Sequence, residues 1–443
     1  MKKEITLSNK KFWVWIKYII KHNGGKKLDL ITKMIDIDHY CITSTVKGEK
    51  YPDNFSIFSY LKKVMPRGYF REMEYCALAY STIFGKILPN LAINIEQLAY
   101  IEWLCYVEPE NPNYRDHFVH MLKVAFVYDK IISKNNKIKR KLLKLQFNKS
   151  NHFSSWIAQR GLDFDKSQKK DIITAAYFLA SIFHDFGYGY KFLRDYEERL
   201  FKLNIIGSDS IGITKVRSEI IKKSLLGEFI LNYHVECENQ SIDNLSNKQK
   251  DNLLFGFIRD CLPLNHSVAS SLIILDIAED LYHSQIILPE LYIAFQLAAE
   301  ACLIHDLTNP KNYLHLKNLS INHKHFLDCN CCNEIPIAIL LILADELSMW
   351  SRPLIEYKHD NDDIGKVSIN INHQWKYKKN KETEYPEKIK VKVNDNSLVF
   401  KIMFDNNNQI KNFKEILSDC NCFTGKLKNE IKLFDYKIEL AVS

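Results

Sequence analysis

The sequence predicts a mainly α protein with an N-terminal helical region, a helical domain that carries the candidate site, and a small C-terminal antiparallel β (α+β) domain. Two observations support this prediction. Apolar residues recur at helical spacing through most of the first 355 residues, and beyond the polar linker at residues 360–365 they alternate with polar residues, as in half-exposed strands. The predicted boundaries are 1–110, 111–358 and 366–443. With 443 residues and 46% hydrophobic content, the chain can bury a large core.

The first region is predicted to contain helices with aromatic faces. Residues 12–20 (FWVWIKYII) and 75–80 (YCALAY) have this pattern. The segment EPENP at residues 108–112 contains two prolines, which are typical of a break between helices. The N-terminal helical region is therefore expected to end near residue 110.

A buried helix that carries an imidazole is predicted after this break. His120 is followed by Val124, Val127 and Tyr128 at spacings of four, seven and eight residues, which is a helical pattern. His117 lies one turn before His120 on the same helix face. His117 could therefore replace or assist His120 as a ligand, although the apolar spacing after His120 favours His120. We expect His117 to orient a ligand or the substrate, and the alternative is a partly buried polar residue near a helix start.

The most informative motif is His184-Asp185, at the end of the apolar run LASIFHDFGYG at residues 179–189. Adjacent residues on a helix point about 100° apart, so two neighbours converge on one point most easily where a helix ends. Gly187 and Gly189 supply such an end. The doublet is therefore predicted to be a ligand pair at a helix terminus.

Three further candidates lie on separate apolar segments. His266 opens a helix rich in small residues, His305 ends an apolar helix, and Asp345 follows a run of eight apolar residues. A carboxylate in such a run is costly to bury unless it is paired or bound to a metal. A single histidine of this kind is more often a core residue than a ligand. As a set, six residues predict a site for one or two divalent ions, with Fe, Mn, Zn or Ni as candidates: His120, His184, Asp185, His266, His305 and Asp345.

Beyond the linker, three alternating segments predict strands at residues 367–372, 389–393 and 398–403. The polar residues 394–397 predict a turn between the last two strands. One helix is expected near residues 413–417. These elements are the basis for the predicted antiparallel C-terminal domain.

The order His120, His184-Asp185, Asp345 resembles the H...HD...D signature of the HD-domain superfamily of metal-dependent phosphohydrolases. His266 and His305 fall between the doublet and the last aspartate, as in the binuclear branches that include HD-GYP phosphodiesterases and myo-inositol oxygenase. The resemblance covers approximately residues 112–355 and implies an HD-domain-like helical core. It also implies that Asp185 bridges two metals, the first held by His120, His184 and Asp345 and the second by His266 and His305.

The chain departs from this family at one position. Many members read His-Asp-x-Gly-Lys, whereas this chain has Tyr188 in place of the lysine. Another cation would then have to contact the substrate phosphate. Lys123 and Arg352 are the predicted catalytic cations, alongside Asp185, and a solvated surface position is the alternative for each cation. Other candidates are Arg115, Lys191 and Arg194.

These features predict a metal-dependent phosphohydrolase or phosphodiesterase that acts on a nucleotide or related phosphate ester through metal-activated water. Two alternatives use the same residues. One is a di-iron oxygenase, and the other is a nucleotide-sensing or partner-binding protein with a non-catalytic metal site. The ligand order does not choose between them.

The composition limits the partners. The net charge is +8 and the pI about 8.7, but lysine and asparagine are spread along the chain, so nucleic-acid binding is not indicated. The basic residues 134–144 could contact phosphates, with a solvated helix or loop as the alternative. The longest apolar runs are too short for a transmembrane helix, and the start lacks the apolar core of a signal peptide. A cytoplasmic location and a small-molecule substrate are expected.

The number and spacing of the cysteines fit the expected cytoplasmic location. The eleven cysteines are odd in number and irregularly spaced, as expected for free thiols. One alternative is a zinc site that joins residues 329–332 to nearby histidines and to the later pair of cysteines. Its candidate ligands are His323, His325, Cys329, Cys331, Cys332, Cys420 and Cys422.

Overall fold

The computed structural model of the protein describes the chain in separate ranges, and the part that it describes is mainly helical. The described residues are 3–23, 26–36, 67–84, 114–115, 117–131, 136–148, 150–188, 220–237, 242–261, 266–307, 335–348, 354–359, 367–372, 374–377, 381–384, 388–393, 397–403, 432–433 and 436–442. The helices within these ranges are α1 (Asn9–Lys21), α2 (Lys26–Thr32), α3 (Arg67–Phe84), α4 (Phe118–Ile131), α5 (Asn136–Asn148), α6 (Asn151–Gln159), α7 (Lys166–Phe183), α8 (Leu225–Cys237), α9 (Asn247–Cys261), α10 (His266–His283), α11 (Pro289–Leu307) and α12 (Pro336–Leu347).

The centre of the helical part is the pair α7 and α11, which pack against each other. Helices α10 and α12 pack on α11, and α4 packs on α7. All residues from 175 to 183 in α7 are buried. This explains why the segment is apolar without a polar face, since a helix enclosed by other helices has no side that contacts water.

Local sequence sets both ends of α7. At its start, Asp165 accepts hydrogen bonds from the backbone N–H groups of Ser167 and Gln168, and the Gln168 side chain accepts one from the backbone N–H of Asp165. At its end, the last helical residue is Phe183. His184 and Asp185 therefore lie where the backbone leaves the helix, as the sequence predicts.

The N-terminal helices support α4, the helix of His120. Helix α1 packs on α3 and α4, and the Phe12 ring meets the Phe126 ring edge-on with centroids 5.8 Å apart. The indole N–H of Trp15 donates to Asp129 Oδ2 at 3.1 Å, and the Tyr80 hydroxyl donates to the carbonyl of Phe118 at 3.0 Å. The buried side chains of α1 and α3 belong to the same apolar cluster as those of the ligand-bearing helices.

Within the described ranges, the strands form three sheets. The strands are β1 (Lys3–Leu7), β2 (Tyr114–Arg115), β3 (Leu354–His359), β4 (Val367–Asn372), β5 (Gln374–Tyr377), β6 (Lys381–Glu384), β7 (Lys388–Val393), β8 (Ser397–Met403), β9 (Lys432–Leu433) and β10 (Tyr436–Val442). One sheet has the order β1-β7-β8-β10-β9, a second the order β2-β3-β4, and the third pairs β5 with β6. Strands β4, β7 and β8 coincide with the alternating segments of the sequence.

Two features of the sheets were not predicted. The strand β1 at the N-terminus pairs with β7, with Ile5 opposite Val391, so the largest sheet includes residues from both ends of the chain. The prediction of a purely antiparallel sheet is wrong at one pair, because β8 and β10 run parallel. The 32 residues between Met403 and Tyr436 are long enough for the crossover that a parallel pair requires.

Several predicted features lie outside the described residues. These are the break at residues 108–112, the helix near residues 413–417 and the cysteine-rich candidate zinc ligands. Among the residues that the structure does describe, no helix is both long enough and apolar enough to span a membrane.

Candidate metal centre

The predicted metal ligands meet where the ends of five helices converge. His120 lies in the first turn of α4, His184 and Asp185 directly follow α7, and His266 is the first residue of α10. His305 is in the last turn of α11 and Asp345 in the last turn of α12. The four histidines and Asp185 are buried. The structure thus brings the six residues of the predicted set to one place.

Asp185 lies at the centre, and its two carboxylate oxygens face different histidines. Oδ2 is 3.4 Å from His184 Nε2 and 3.8 Å from His120 Nε2. Oδ1 is 3.4 Å from His266 Nε2 and 3.8 Å from His305 Nε2. One carboxylate therefore divides the cluster into two halves.

Asp345 belongs to the half on the Oδ2 side. Its Oδ1 lies 2.7 Å from His120 Nε2 and 3.8 Å from His184 Nε2. Among the described residues, the possible ligand atoms also form two compact groups that do not coincide with the two halves: one contains His120, His184 and Asp345, and the other His184, Asp185 and His305. His184 belongs to both groups.

These separations fit atoms that share an ion. Two atoms with bonds of about 2.1 Å to one ion lie about 3.0 Å apart at a right angle and about 3.6 Å apart at 120°. The distances from Asp185 to the four histidines, 3.4 to 3.8 Å, are close to this range. The 2.7 Å contact between His120 and Asp345 is a hydrogen-bond distance.

Hydrogen bonds at the other ring nitrogen orient three of the histidines. Nδ1 of His184 lies 3.0 Å from the carbonyl of Ser181, and Nδ1 of His305 lies 2.5 Å from the carbonyl of Cys302. Nδ1 of His120 lies 3.1 Å from Ser348 Oγ. In each case the hydrogen bond leaves Nε2 as the nitrogen that faces the carboxylates.

His184 Nε2 supplies the clearest test of whether the cluster fits a metal. This atom is buried and has no hydrogen-bond partner among the described residues. A buried polar atom without a partner costs free energy, whereas a metal ion would use its lone pair. The donor set of imidazole nitrogens and carboxylate oxygens suits a borderline divalent ion. The residues present therefore fit a metal.

The carboxylates of the cluster stay ionised despite their burial. Burial acts to raise the pKa of Asp185, but the neighbouring His184 and His117 and the close approach of His184 and His266 Nε2 to its oxygens hold it well below its usual range. Burial also acts to raise the pKa of Asp345, and the His120 hydrogen bond and charge lower it below the usual range. Two negative groups are thus available for cation binding.

A close approach between the turn after α7 and the start of α10 joins the two halves. The Gly187 N–H donates to Ser270 Oγ at 2.7 Å, and the Ser270 hydroxyl donates to the carbonyl of His184 at 2.8 Å. A Cβ atom on Gly187 would lie 1.9 Å from the carbonyl oxygen of His266. Only glycine fits here, because any side chain would push α10 away from Asp185.

His117 and Tyr188 complete the surroundings of Asp185. His117 Nε2 lies 4.0 Å from Asp185 Oδ2, so this residue is near the ligands, where the sequence predicts it. The Tyr188 ring stacks on the His117 ring on one face and on the His266 ring on the other, with 3.9 Å between centroids in both cases.

The structure describes only one of the predicted cationic side chains. The Lys123 side chain is buried, with Nζ 5.7 Å from the centre of the Phe12 ring of α1. Lys191, Arg194 and Arg352 lie outside the described residues, and Arg115 is described only by its backbone in β2. A cation that contacts phosphate thus stays a prediction.

Sequence analysis missed three residues of the site. Ser270 is a buried serine within α10 and Ser348 is a buried serine directly after α12, and serine in such positions carries no specific signal. The stacking role of Tyr188 was also missed, although its departure from the lysine pattern marked the position.

Comparisons of the chain with protein-family models, with curated proteins and with solved structures gave no match.

Proposed function

We propose that this protein is a metal-dependent phosphohydrolase or phosphodiesterase of the HD-domain type, acting on a nucleotide or related phosphate ester. The observation that carries the proposal is that the two carboxylate oxygens of Asp185 face different histidines. Oδ2 faces His120 and His184, and Oδ1 faces His266 and His305. A bridging carboxylate with separate imidazoles on each oxygen is an arrangement suited to two ions.

The residues that would hold the first ion are His120, His184, Asp345 and Asp185 through Oδ2. Those for the second ion are His266, His305 and Asp185 through Oδ1. Two divalent ions at such a centre supply an activated water and neutralise charge on phosphoryl oxygens.

The charge balance of the cluster favours an anionic substrate. Asp185 and Asp345 contribute two negative charges, and their depressed pKa values keep them ionised at neutral pH. Two divalent cations would exceed that charge, which leaves a positive centre with buried walls. A phosphate ester is attracted to such a centre, and the low polarity of the surroundings strengthens the attraction. Arg352 stays the predicted additional phosphate contact.

One observation favours a second candidate function. The half formed by His266, His305 and Asp185 Oδ1 contains two histidines and one carboxylate, a ligand set that also holds iron in non-haem oxygenases. A di-iron oxygenase would use this chemistry with molecular oxygen. The ligand set alone does not separate the two candidates, because hydrolases and oxygenases differ in the metal and the substrate.

The test compares metal content with reaction products. The full chain is purified aerobically and anaerobically, its metals are measured by mass spectrometry, and phosphate or alcohol release is followed with p-nitrophenyl phosphate, bis-p-nitrophenyl phosphate and nucleotides. We expect metal-dependent hydrolysis. Oxygen uptake without hydrolysis would favour the oxygenase, and metal binding with neither reaction would favour a sensing or partner-binding role.

Asp185→Ala is the central variant. It removes the carboxylate shared by both halves, so we expect metal content and turnover to fall together, turnover by at least about 100-fold. Asp280→Ala is the matched control, because Asp280 is an exposed residue of α10. Full metal occupancy and normal turnover in Asp185→Ala would refute the hydrolase proposal.

A further inference from the structure

Tyr188 lies between His266 of the cluster and the neighbouring His117. Its ring is stacked on the imidazole of His117 with an interplanar angle of 27° and on that of His266 with an angle of 17°, each at 3.9 Å between centroids. Both faces of the phenol ring are therefore covered by imidazoles. The side chain is half-buried at the edge of the cluster.

The two stacked histidines lie on opposite sides of the Asp185 carboxylate. His117 Nε2 is 4.0 Å from Oδ2, and His266 Nε2 is 3.4 Å from Oδ1. The backbone N–H of Tyr188 also donates to the carbonyl of Asp185 at 3.1 Å. The Tyr188 backbone is thus hydrogen-bonded to Asp185, while its ring contacts His266 of the Oδ1 half and His117, which lies beside Oδ2.

We propose that Tyr188 is a positioning residue whose aromatic ring sets the orientation of the His266 and His117 imidazoles and thereby the metal affinity of the half that contains His266. The inference rests on the proposed metal-binding function. Rotation of an imidazole about its bond to Cβ moves Nε2 away from its ligand position, and a stacked ring opposes that rotation. Metal–ligand bonds tolerate only about 0.2 Å of displacement, so this restraint affects affinity directly.

The inference explains the departure from the lysine pattern. A lysine at residue 188 would bring a positive charge but no flat surface to stack on the imidazoles. Tyr188 provides two such surfaces, and the stacking uses the ring rather than the hydroxyl. In this chain residue 188 would orient the imidazoles, and a different residue would contact the substrate phosphate.

The experiment is a titration of metal-free full-length protein with Co²⁺ under anaerobic conditions. The readouts are the number of ions bound, their dissociation constants and the visible absorption of the bound cobalt, which reports its coordination. The variants are Tyr188→Phe, which keeps the ring, and Tyr188→Leu, which removes it. Phe186→Leu is the matched control, because Phe186 lies in the same turn but packs edge-on against Phe183 at 5.5 Å.

We expect Tyr188→Phe to bind cobalt as the natural protein does, and Tyr188→Leu to lose at least about tenfold in affinity at one site with a changed absorption spectrum. Phe186→Leu should keep both dissociation constants. Natural affinity and spectrum in Tyr188→Leu would overturn the inference. An equal loss of cobalt affinity in Phe186→Leu would also overturn it, because the effect would then come from general packing of the turn. An equal loss in Tyr188→Phe would overturn it too, because the effect would then come from the hydroxyl and not from the ring.

The outcomes also separate this inference from the proposed function. If the natural protein binds no cobalt, both fail. If it binds cobalt with the expected dependence on the Tyr188 ring but hydrolyses no phosphate ester, the positioning role stands and the hydrolase proposal fails.

Discussion

At the scale of single residues, the hydrogen bond at one nitrogen of each imidazole determines which nitrogen is left for a metal. Ser348 illustrates this for His120. Its hydroxyl donates to the carbonyl of Asp345 at 2.7 Å, so its oxygen can accept from His120 Nδ1 at 3.1 Å. His120 Nε2 is then directed at the Asp345 carboxylate. The serine thereby orients a residue of the cluster without facing the carboxylates itself.

Ser348→Ala should weaken metal binding about 10- to 100-fold, because it removes the acceptor that orients His120. Dissociation constants from competition with a chelator provide the measurement. Ser181→Ala serves as the control, since the Ser181 hydroxyl donates to the carbonyl of Tyr177 within α7. The role assigned to Ser348 would be wrong if both serine variants bound metal equally well.

At the scale of elements, the site depends on the distance between the end of α7 and the start of α10. The two meet at Gly187, where a Cβ atom would lie 1.9 Å from the carbonyl oxygen of His266 and 2.6 Å from the backbone nitrogen of Ser270. Since Asp185 is on one side of this contact and His266 on the other, the close packing of backbones sets their 3.4 Å separation.

Gly187→Ala should separate these elements. We expect a loss of roughly 1–3 kcal/mol in the free energy of unfolding, from overpacking against backbone atoms, together with weaker binding of one metal. Denaturant unfolding and metal titration measure the two effects.

Gly256→Ala is an informative comparison, because a Cβ atom there meets nothing within 4 Å and the residue lies inside α9. Alanine in an open helix position should stabilise the protein by about 0.5–1 kcal/mol. A Gly187→Ala protein as stable as the natural one would contradict the proposed close contact.

At the scale of the whole molecule, buried aromatic pairs hold the ligand-bearing helices together. Tyr128 of α4 and Tyr177 of α7 stack with centroids 3.6 Å apart, and the Tyr177 hydroxyl donates to the carbonyl of Leu340 in α12 at 3.0 Å. This contact links the helices of His120 and Asp345 to the helix that precedes His184. Burial raises the pKa of both tyrosines above the ordinary value.

The raised pKa values predict alkaline destabilisation. Below pH 10 both tyrosines keep their protons whether the chain is folded or unfolded. Above about pH 10 the unfolded chain releases those protons while the folded protein retains them, so the free energy of unfolding falls as pH rises. Each buried tyrosine contributes a slope of up to about 1.4 kcal/mol per pH unit.

Tyr128→Phe and Tyr177→Phe should each reduce this slope, measured by denaturant unfolding between pH 8 and 11. Tyr177→Phe should also lower stability at pH 8, because the carbonyl of Leu340 loses a donor. Tyr18→Phe changes an exposed tyrosine and serves as the control. An unchanged slope in both buried variants would show that these tyrosines do not resist ionisation in the folded protein.

Sequence patterns were sufficient to identify the helical character of the described chain and the residues that meet in the cluster. Helical spacing is a local property, so α4, α7, α10, α11 and α12 could be recognised without knowledge of their neighbours. The end of α7 before His184 followed from the glycines after Asp185, and His266 was expected at a helix start. Buried imidazoles and carboxylates on apolar helices stood out because their burial is costly without a partner.

The arrangement of these residues around one another could be seen only in the folded protein. The division of Asp185 between two groups of histidines, the stacking of Tyr188 and the acceptor role of Ser348 join residues that are distant in sequence. The same holds for the pairing of β1 with β7 and the parallel pairing of β8 with β10. Such contacts depend on packing between helices and on strand pairing, and residue spacing along one segment carries no information about a partner on another.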